Sequence, residues 1–236
     1  SLVQYVAPLS GKADCGRQCH ITAGYGSTRM YGEVNDNNAL GTAGTVKIDY
    51  SYFKGLYFGL ETQFGSLLTR NMRGTDARAS HNDYLAGGLV ATLHPFEFFS
   101  DRKFARPTFG ELFLESLFVG VGALYVVNKY DYIYRNFSNL GTYGEIEYID
   151  EFGNPTFKER TSSFVFPSLN FGTALPLNYP YNNHRGNVLS VVLKAQVNFA
   201  GNDLLDGYLP YDTEAGALQS ANDVYNYYSL GLRYSF

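Results

Sequence analysis

Five charged residues draw attention first: Lys47, Asp49, Glu61, Lys194 and Arg233. Each falls on the polar phase of a stretch that otherwise alternates apolar and polar residues. Charges gathered on one face of a sheet can relay protons or line a solute path. They can equally form a paired network with no chemistry, and that plainer reading is the stronger one. Withdrawing an ion from water costs several kcal/mol unless a partner offsets it. Nucleophilic catalysis would need a base beside a serine and an acid. Of the four histidines, His20, His81, His94 and His184, none stands in such an order. His94 precedes Pro95 at a strand end and His184 lies in a turn, so each reads as a surface or interface residue. The sequence therefore argues against an enzyme, with no catalytic residue and no cofactor. Asp203, Asp206, Asp212 and Glu214 lack the spacing of a calcium loop and read as a solvated acidic segment. No metal is expected.

Cys15 and Cys19, the only cysteines, stand four apart before the first alternating stretch. They suit a local disulfide in an oxidising compartment, free thiols, or a metal site with His20, for which no second ligand cluster exists.

The elements that position these residues are strands. Residues 45–53 place Val46, Ile48, Tyr50 and Tyr52 against Lys47, Asp49 and Ser51. After a tight Lys54-Gly55 turn, 56–65 place Leu56, Phe58, Leu60 and Phe64 against Gly59, Glu61 and Gln63. Period-2 alternation of this kind marks a strand between two environments. It recurs at 19–32, 84–93, 117–130, 161–175, 188–200 and 228–236, which predicts eight strands. In 161–175 the apolar set is Val165, Leu169, Phe171 and Leu175, and Ser168, Asn170 and Gly172 face the other way. In 228–236 Tyr228, Leu230, Leu232, Tyr234 and Phe236 alternate with Ser229, Gly231, Arg233 and Ser235.

The connections alternate too. Long polar ones, at 35–44, 66–82, 131–160 and 201–222, follow every second strand. Residues 131–160 read as an extended hairpin of two short strands about Gly153-Asn154-Pro155. The exception is 94–116, far too long for a turn, with a short helix expected over 109–116. It carries Phe96, Phe98, Phe99, Phe104, Phe109, Phe113 and Leu114 beside Arg102, Lys103 and Arg106. So many aromatics read as a contact for a membrane interface or a partner.

Composition narrows the class. The 236 residues are 45% hydrophobic, with 21 Tyr, 18 Phe and 25 Gly, and a net charge of −4. Without a basic run, nucleic acid is excluded as a partner. No apolar stretch approaches the length of about 18 residues that a transmembrane helix needs, but barrel strands need only about 9–11. No leader is visible; an exported chain would be expected in its mature form here. Alternation alone does not separate inside from outside. The aromatics at strand ends, the glycines on the charged face and the terminal Phe236 favour an apolar exterior. The expected architecture is all-β: an eight-stranded antiparallel up-and-down transmembrane barrel over 19–236, after an N-terminal segment 1–18.

The whole-chain pattern resembles the small outer-membrane barrels related to the OmpA transmembrane domain, OmpX and OmpW. The closing strand in particular looks like their aromatic-ended last strand. The Tyr-, Asn- and Gly-rich style and the DEFGNP turn look like outer-membrane proteins of Bacteroidota. The resemblance implies a bacterial outer-membrane location with both termini periplasmic, long loops outside and 94–116 as a periplasmic insertion. It implies Leu232, Tyr234 and Phe236 as an assembly signal, and lipid, lipopolysaccharide and other outer-membrane proteins as partners. By the same resemblance the chain is expected to be an accessory subunit of a barrel-assembly or secretion complex. A channel for small or hydrophobic molecules and a lipid-modifying enzyme are the alternatives.

Overall fold

A computed structural model describes residues 19–31, 39–53, 55–71, 77–99, 108–138, 142–178, 187–209, 211–212, 217–218 and 222–236. Side chains are not described at 98, 99, 211, 212, 217 and 218. Residues 1–18, with Cys15, lie outside this set, so the disulfide expectation does too. So do Phe104, Arg102, Lys103, Arg106 and His184.

The elements run β1 (Cys19–Tyr31), β2 (Gly41–Phe53), β3 (Leu56–Asn71), β4 (Arg78–Leu93), α1 (Pro95–Phe99), α2 (Phe109–Ser116), β5 (Leu117–Ile133), β6 (Ile146–Ile149), β7 (Pro155–Phe157), β8 (Arg160–Pro176), β9 (Val188–Ala200), β10 (Tyr211–Asp212), β11 (Ala217–Leu218) and β12 (Val224–Ser235). Eight of the strands close a barrel in the order β1-β12-β9-β8-β5-β4-β3-β2, and every neighbouring pair is antiparallel. At the seam, Cys19 N–H donates to Phe236 O (3.3 Å) and Phe236 N–H to Cys19 O (3.0 Å). That rim, called the lower one, also carries the Gly55 turn, α1 and α2. The β6–β7 hairpin and residues 201–209 stand at the upper rim.

The alternation sorts the side chains as an inverted barrel requires. Ile48, Leu60, Leu89, Tyr125, Phe171, Leu193 and Leu230 point outward and are exposed. Lys47, Asp49, Glu61, Gln63, Gln196 and Arg233 point inward and are buried. A closed sheet with an apolar outer belt satisfies every backbone group without water and presents hydrocarbon to lipid. The barrel therefore spans a bilayer. A Cβ on Gly172 would fall 2.1 Å from Leu193 O of the neighbouring strand, so the close approach of β8 and β9 needs glycine there.

Several strands run further than the alternation suggested. β3 and β4 continue pairing to Asn71 and Arg78, so most of the expected 66–82 loop is a hairpin raised above the belt. Once both faces meet water or polar groups, the apolar signal fades while the backbone ladder goes on. β12 starts at Val224 for the same reason.

Val165 corrects a second expectation. It belongs to the inner face and is fully buried. On β8, Val165 and Ser168 face Leu124 and Gly122 of β5, and Ala200 and Asn198 of β9. Three residues thus span the space of two, a bulge that reverses the phase at Phe166-Pro167. Proline, with no N–H to give, sits where a ladder bond is already lost.

α2 matches the expected helix. Glu111 N–H donates to Thr108 Oγ1 (3.4 Å) and Thr108 N–H to the Glu111 carboxylate (2.7 Å), a reciprocal cap. α1, which begins on Pro95, was not foreseen; proline suits a first helical turn.

On β4 the apolar outer positions run from Leu93 to Leu85 and end at exposed Asp83. Leu89 is their centre. Leu89→Arg is expected to lower stability by about 2–4 kcal/mol, the cost of an arginine near the bilayer midplane. Urea titration of protein refolded into lipid vesicles measures it, and Asp83→Arg, above the belt, should cost little.

Candidate functional site

Among the described residues the lumen concentrates the buried polar chemistry, and it is filled in three layers. In the middle layer, Lys47 Nζ lies 3.0 Å from Asp49 Oδ1 and donates to Thr92 Oγ1 at 2.7 Å. Lys194 Nζ donates to Glu61 Oε1 (2.7 Å) and stands over the Tyr227 ring at 5.3 Å. Gln63 Nε2 donates to Glu61 Oε1 and to Gln196 Oε1, both at 2.7 Å. Gln196 in turn donates to Ser168 Oγ, and Ser168 to Asn198 Oδ1, again at 2.7 Å. One continuous chain of bonds therefore crosses the lumen from β3 to β9 and β8.

Four of the five charges foreseen from the sequence pair in this layer. Arg233 does not take Glu61 or Asp49 in a salt bridge; those acids are engaged by Lys194 and Lys47. Its Nε instead donates to Thr22 Oγ1 (3.3 Å), its Nη1 lies 3.4 Å from His94 Nε2, and its guanidinium stands 5.6 Å from the centre of the Phe118 ring. The register places Thr22 directly opposite Arg233.

The lower layer is aromatic. His20, Tyr57, His94 and Phe118 follow one another at centroid distances of 4.8, 5.2 and 5.6 Å. Both histidines are buried, which corrects the reading of His94 as a surface residue. A histidine placed before a proline at a strand end gave no hint of this, because the chain turns inward there. Tyr57 OH donates to both oxygens of Glu97 from α1 (3.1 and 3.0 Å), which ties the insertion to the barrel floor. His81, by contrast, lies at the upper rim within 3.4 Å of Asp83 and 3.6 Å of Asp131.

One further grouping escaped the sequence. His20 Nδ1 lies 2.6 Å from Ser235 Oγ, and His20 is register-paired with both Ser235 and Asp49. These are the residue types of a hydrolytic triad. Here Asp49 is engaged by Lys47, and all three side chains are buried in the lumen.

The upper layer is a loop segment. Leu205 and Tyr208 are fully buried. Leu204 O accepts bonds from Tyr130 OH, Asn128 Nδ2 (3.3 Å) and Thr161 Oγ1 (3.2 Å), and Leu205 O accepts from Asn82 Nδ2 (2.6 Å). Tyr208 OH donates to Ala79 O and Tyr134 O (3.0 and 2.9 Å). Asp203 and Asp206 are therefore buried, not the solvated acids the composition suggested. Gly207, at φ +87°, makes the turn. Arg135 then joins this segment to the β6–β7 hairpin: it donates to Gly207 O (3.1 Å) and stacks over Phe157 at 4.2 Å.

One small cavity between the layers, of about 20 Å3, is lined by Thr22, Lys47, Phe118, Asn170, Lys194 and Arg233. That is room for about one water. Outside, an open apolar groove of about 900 Å3 runs along the wall beside α1, lined by Phe96, Leu117, Val119, Phe171, Leu193 and Leu230. Phe96, Phe109, Phe113 and Leu114 of the insertion are exposed. On the last strand Leu232, Tyr234 and Phe236 face outward at the lower rim.

No protein-family model and no curated protein matches the sequence. Among solved structures, Neisserial surface protein A is similar at 11% identity and a TM-score of 0.47, over 92% of this chain and 97% of that one. Ail, the attachment invasion locus protein of Yersinia pestis, in complex with the heparin analogue sucrose octasulfate, is similar at 12% and 0.42, over 93% and 98%. OprG from Pseudomonas aeruginosa is similar at 10% and 0.40, over 94% and 97%. The likeness is one of fold, and the architecture described above stands on the chain's own strand pairing.

The middle layer makes a definite prediction. Glu61→Ala leaves Lys194 buried without its carboxylate and is expected to cost about 3–5 kcal/mol. Glu61→Leu combined with Lys194→Met, which removes both charges, should recover most of that loss. The unfolding midpoints of the three proteins in vesicles decide it.

Proposed function

We propose that the chain is an integral barrel of the bacterial outer membrane acting as a structural or accessory subunit of a larger outer-membrane assembly. The observation that carries this reading is the filled lumen. A conduit for solutes needs a continuous wet path, and here three bonded layers of the described residues cross and fill the lumen. The same burial argues against catalysis at the Ser235–His20 pair. What the molecule offers to others is on its surfaces.

Those surfaces lie at both rims. In the proposed orientation both chain ends and the α1–α2 insertion are periplasmic, and the β6–β7 hairpin is extracellular. Phe96, Phe109, Phe113 and Leu114 then present an apolar face below the barrel, continuous through Phe96 with the groove on its wall. The hairpin raises Ile146, Tyr148, Ile149 and Phe152 into solvent above it. Monomeric proteins seldom expose apolar groups in such clusters without a partner. Lipid and lipopolysaccharide surround the belt, and Leu232, Tyr234 and Phe236 serve as the signal read during barrel assembly.

Two measurements test the proposal. Affinity purification from native membranes in mild detergent should recover stoichiometric outer-membrane partners, and substituting Phe109 and Phe113 by Ser should release them with the barrel still folded. Recovery of a lone barrel would refute it. In planar bilayers the purified protein should be electrically silent. Steady conductance that changes with Lys194 substitution would instead establish the channel reading.

A further inference from the structure

Three carboxylates meet under the upper rim, and the filling of the lumen does not account for them. Asp203, Asp206 and Asp223 are each almost wholly buried, and one oxygen from each lies within 4.8 Å of the others. Asp223 precedes β12. Its Oδ2 accepts from the amides of Leu205 (2.7 Å) and Asp206 (3.2 Å), which fixes it against the turn that carries the other two. Its Oδ1 has no hydrogen-bond partner among the described residues. Asn82, also fully buried, is bonded to the same turn through Leu205 O, and its Oδ1 likewise lacks a donor among them.

The grouping poses an electrostatic problem. Unit charges about 4 Å apart repel by several kcal/mol at the effective dielectric of a protein surface, and the repulsion grows with burial. Burial, then the neighbouring Asp206 and Asp203, hold the Asp223 carboxyl well above the usual carboxylate range. The cations facing the turn are arginines. Arg78 and Arg135 stand over the Tyr208 ring at 5.4 and 5.9 Å, and Arg135 bonds Gly207 O. A cluster of buried carboxylates is an all-oxygen donor set, which suits a hard divalent ion of flexible coordination.

We propose that Asp203, Asp206 and Asp223 form a calcium site that locks the 202–208 segment into the mouth of the barrel. Asn82 Oδ1 and water complete the shell. The ion takes the place of protons on the cluster and joins two points of the chain, the turn and the start of β12. Binding at the level of extracellular calcium modules, on the order of 10^-4 to 10^-3 M, would suffice.

The test uses the refolded full chain in detergent, stripped of metal, with terbium and calcium as probes. Tyr208 and Tyr130 are close enough to sensitise terbium emission, since Tyr130 OH bonds Leu204 O and Tyr208 N–H donates to Asp206 Oδ1. The expected result is saturable emission at one ion per chain, displaced by calcium. Asp223→Asn and Asp203→Asn should each weaken it at least tenfold, while Asp83→Asn at the exposed rim leaves it unchanged. Calcium should also slow proteolysis of the wild-type upper rim and leave that of Asp223→Asn unaffected. Heat-modifiable gel mobility confirms that each variant barrel is folded. Absence of saturable terbium or calcium binding by the folded wild type at millimolar ion overturns the proposal. So does emission that survives both substitutions in the cluster.

Discussion

A sheet that lies in hydrocarbon must leave no backbone group unbonded, and the rest of this structure depends on that constraint. Each unsatisfied N–H or C=O costs several kcal/mol where water is absent. The seam between β1 and β12, which joins the two ends of the described chain from His20↔Ser235 to Tyr31↔Val224, is therefore obligatory. Closure then fixes the register all round, because a one-residue slip anywhere would turn an apolar outer row inward. The bulge at Phe166-Pro167 is the permitted exception: β8 reverses phase against both neighbours at one level, so the barrel absorbs the extra residue without opening.

Closure with eight strands leaves a lumen that side chains alone can fill. Everything polar on the inner face is therefore forced into contact. Lys47 and Asp49 lie two apart on one strand and pair along it, whereas Lys194 and Glu61 meet across the barrel. A buried pair of this kind adds little net stability, since desolvation offsets most of the attraction. Its effect lies in the penalty for breaking it. That penalty makes the lumen rigid, and rigidity suits a scaffold better than a path for solutes.

The sequence carried the architecture because the lipid belt writes itself as alternation. The eight strands, the β6–β7 hairpin and the helix at Phe109–Ser116 were all legible that way. So was the inward set of charges, because a lysine or glutamate between outward leucines has only one place to go. The pairing among them was not legible. Arg233 meets Thr22 and His94 because of register and of the turn at Pro95, neither of which leaves a trace in residue types. Val165 was misplaced because a bulge shifts phase without changing composition. The acidic segment misled most: Asp203 and Asp206 look like solvent-exposed loop residues, and only the fold shows them drawn inside. The signal that could have raised the question was Leu204-Leu205 between them, an apolar pair unusual in a solvated loop.

That leucine pair sets the energetics of the upper rim. Leu205 joins a buried apolar cluster with Met30, Leu67, Leu124, Val126, Val165 and Tyr225, so an apolar patch lies among the polar groups of the inner face above the charge layer. Burying one leucine contributes about 1.5–3 kcal/mol. The same movement carries in Asp203 and Asp206 and sets them beside Asp223, and each buried carboxylate costs several kcal/mol if it stays ionised. Two amide bonds to Asp223, at about 1.5–3 kcal/mol each for a charged acceptor, narrow the gap without closing it for three charges. The segment therefore cannot be held by its leucine and its hydrogen bonds while all three acids are charged and uncompensated. Whatever neutralises them, whether protons, the nearby arginines or a bound cation, sets how firmly the mouth of the barrel is closed. Through Arg135 it also sets how firmly the hairpin above is held to the barrel.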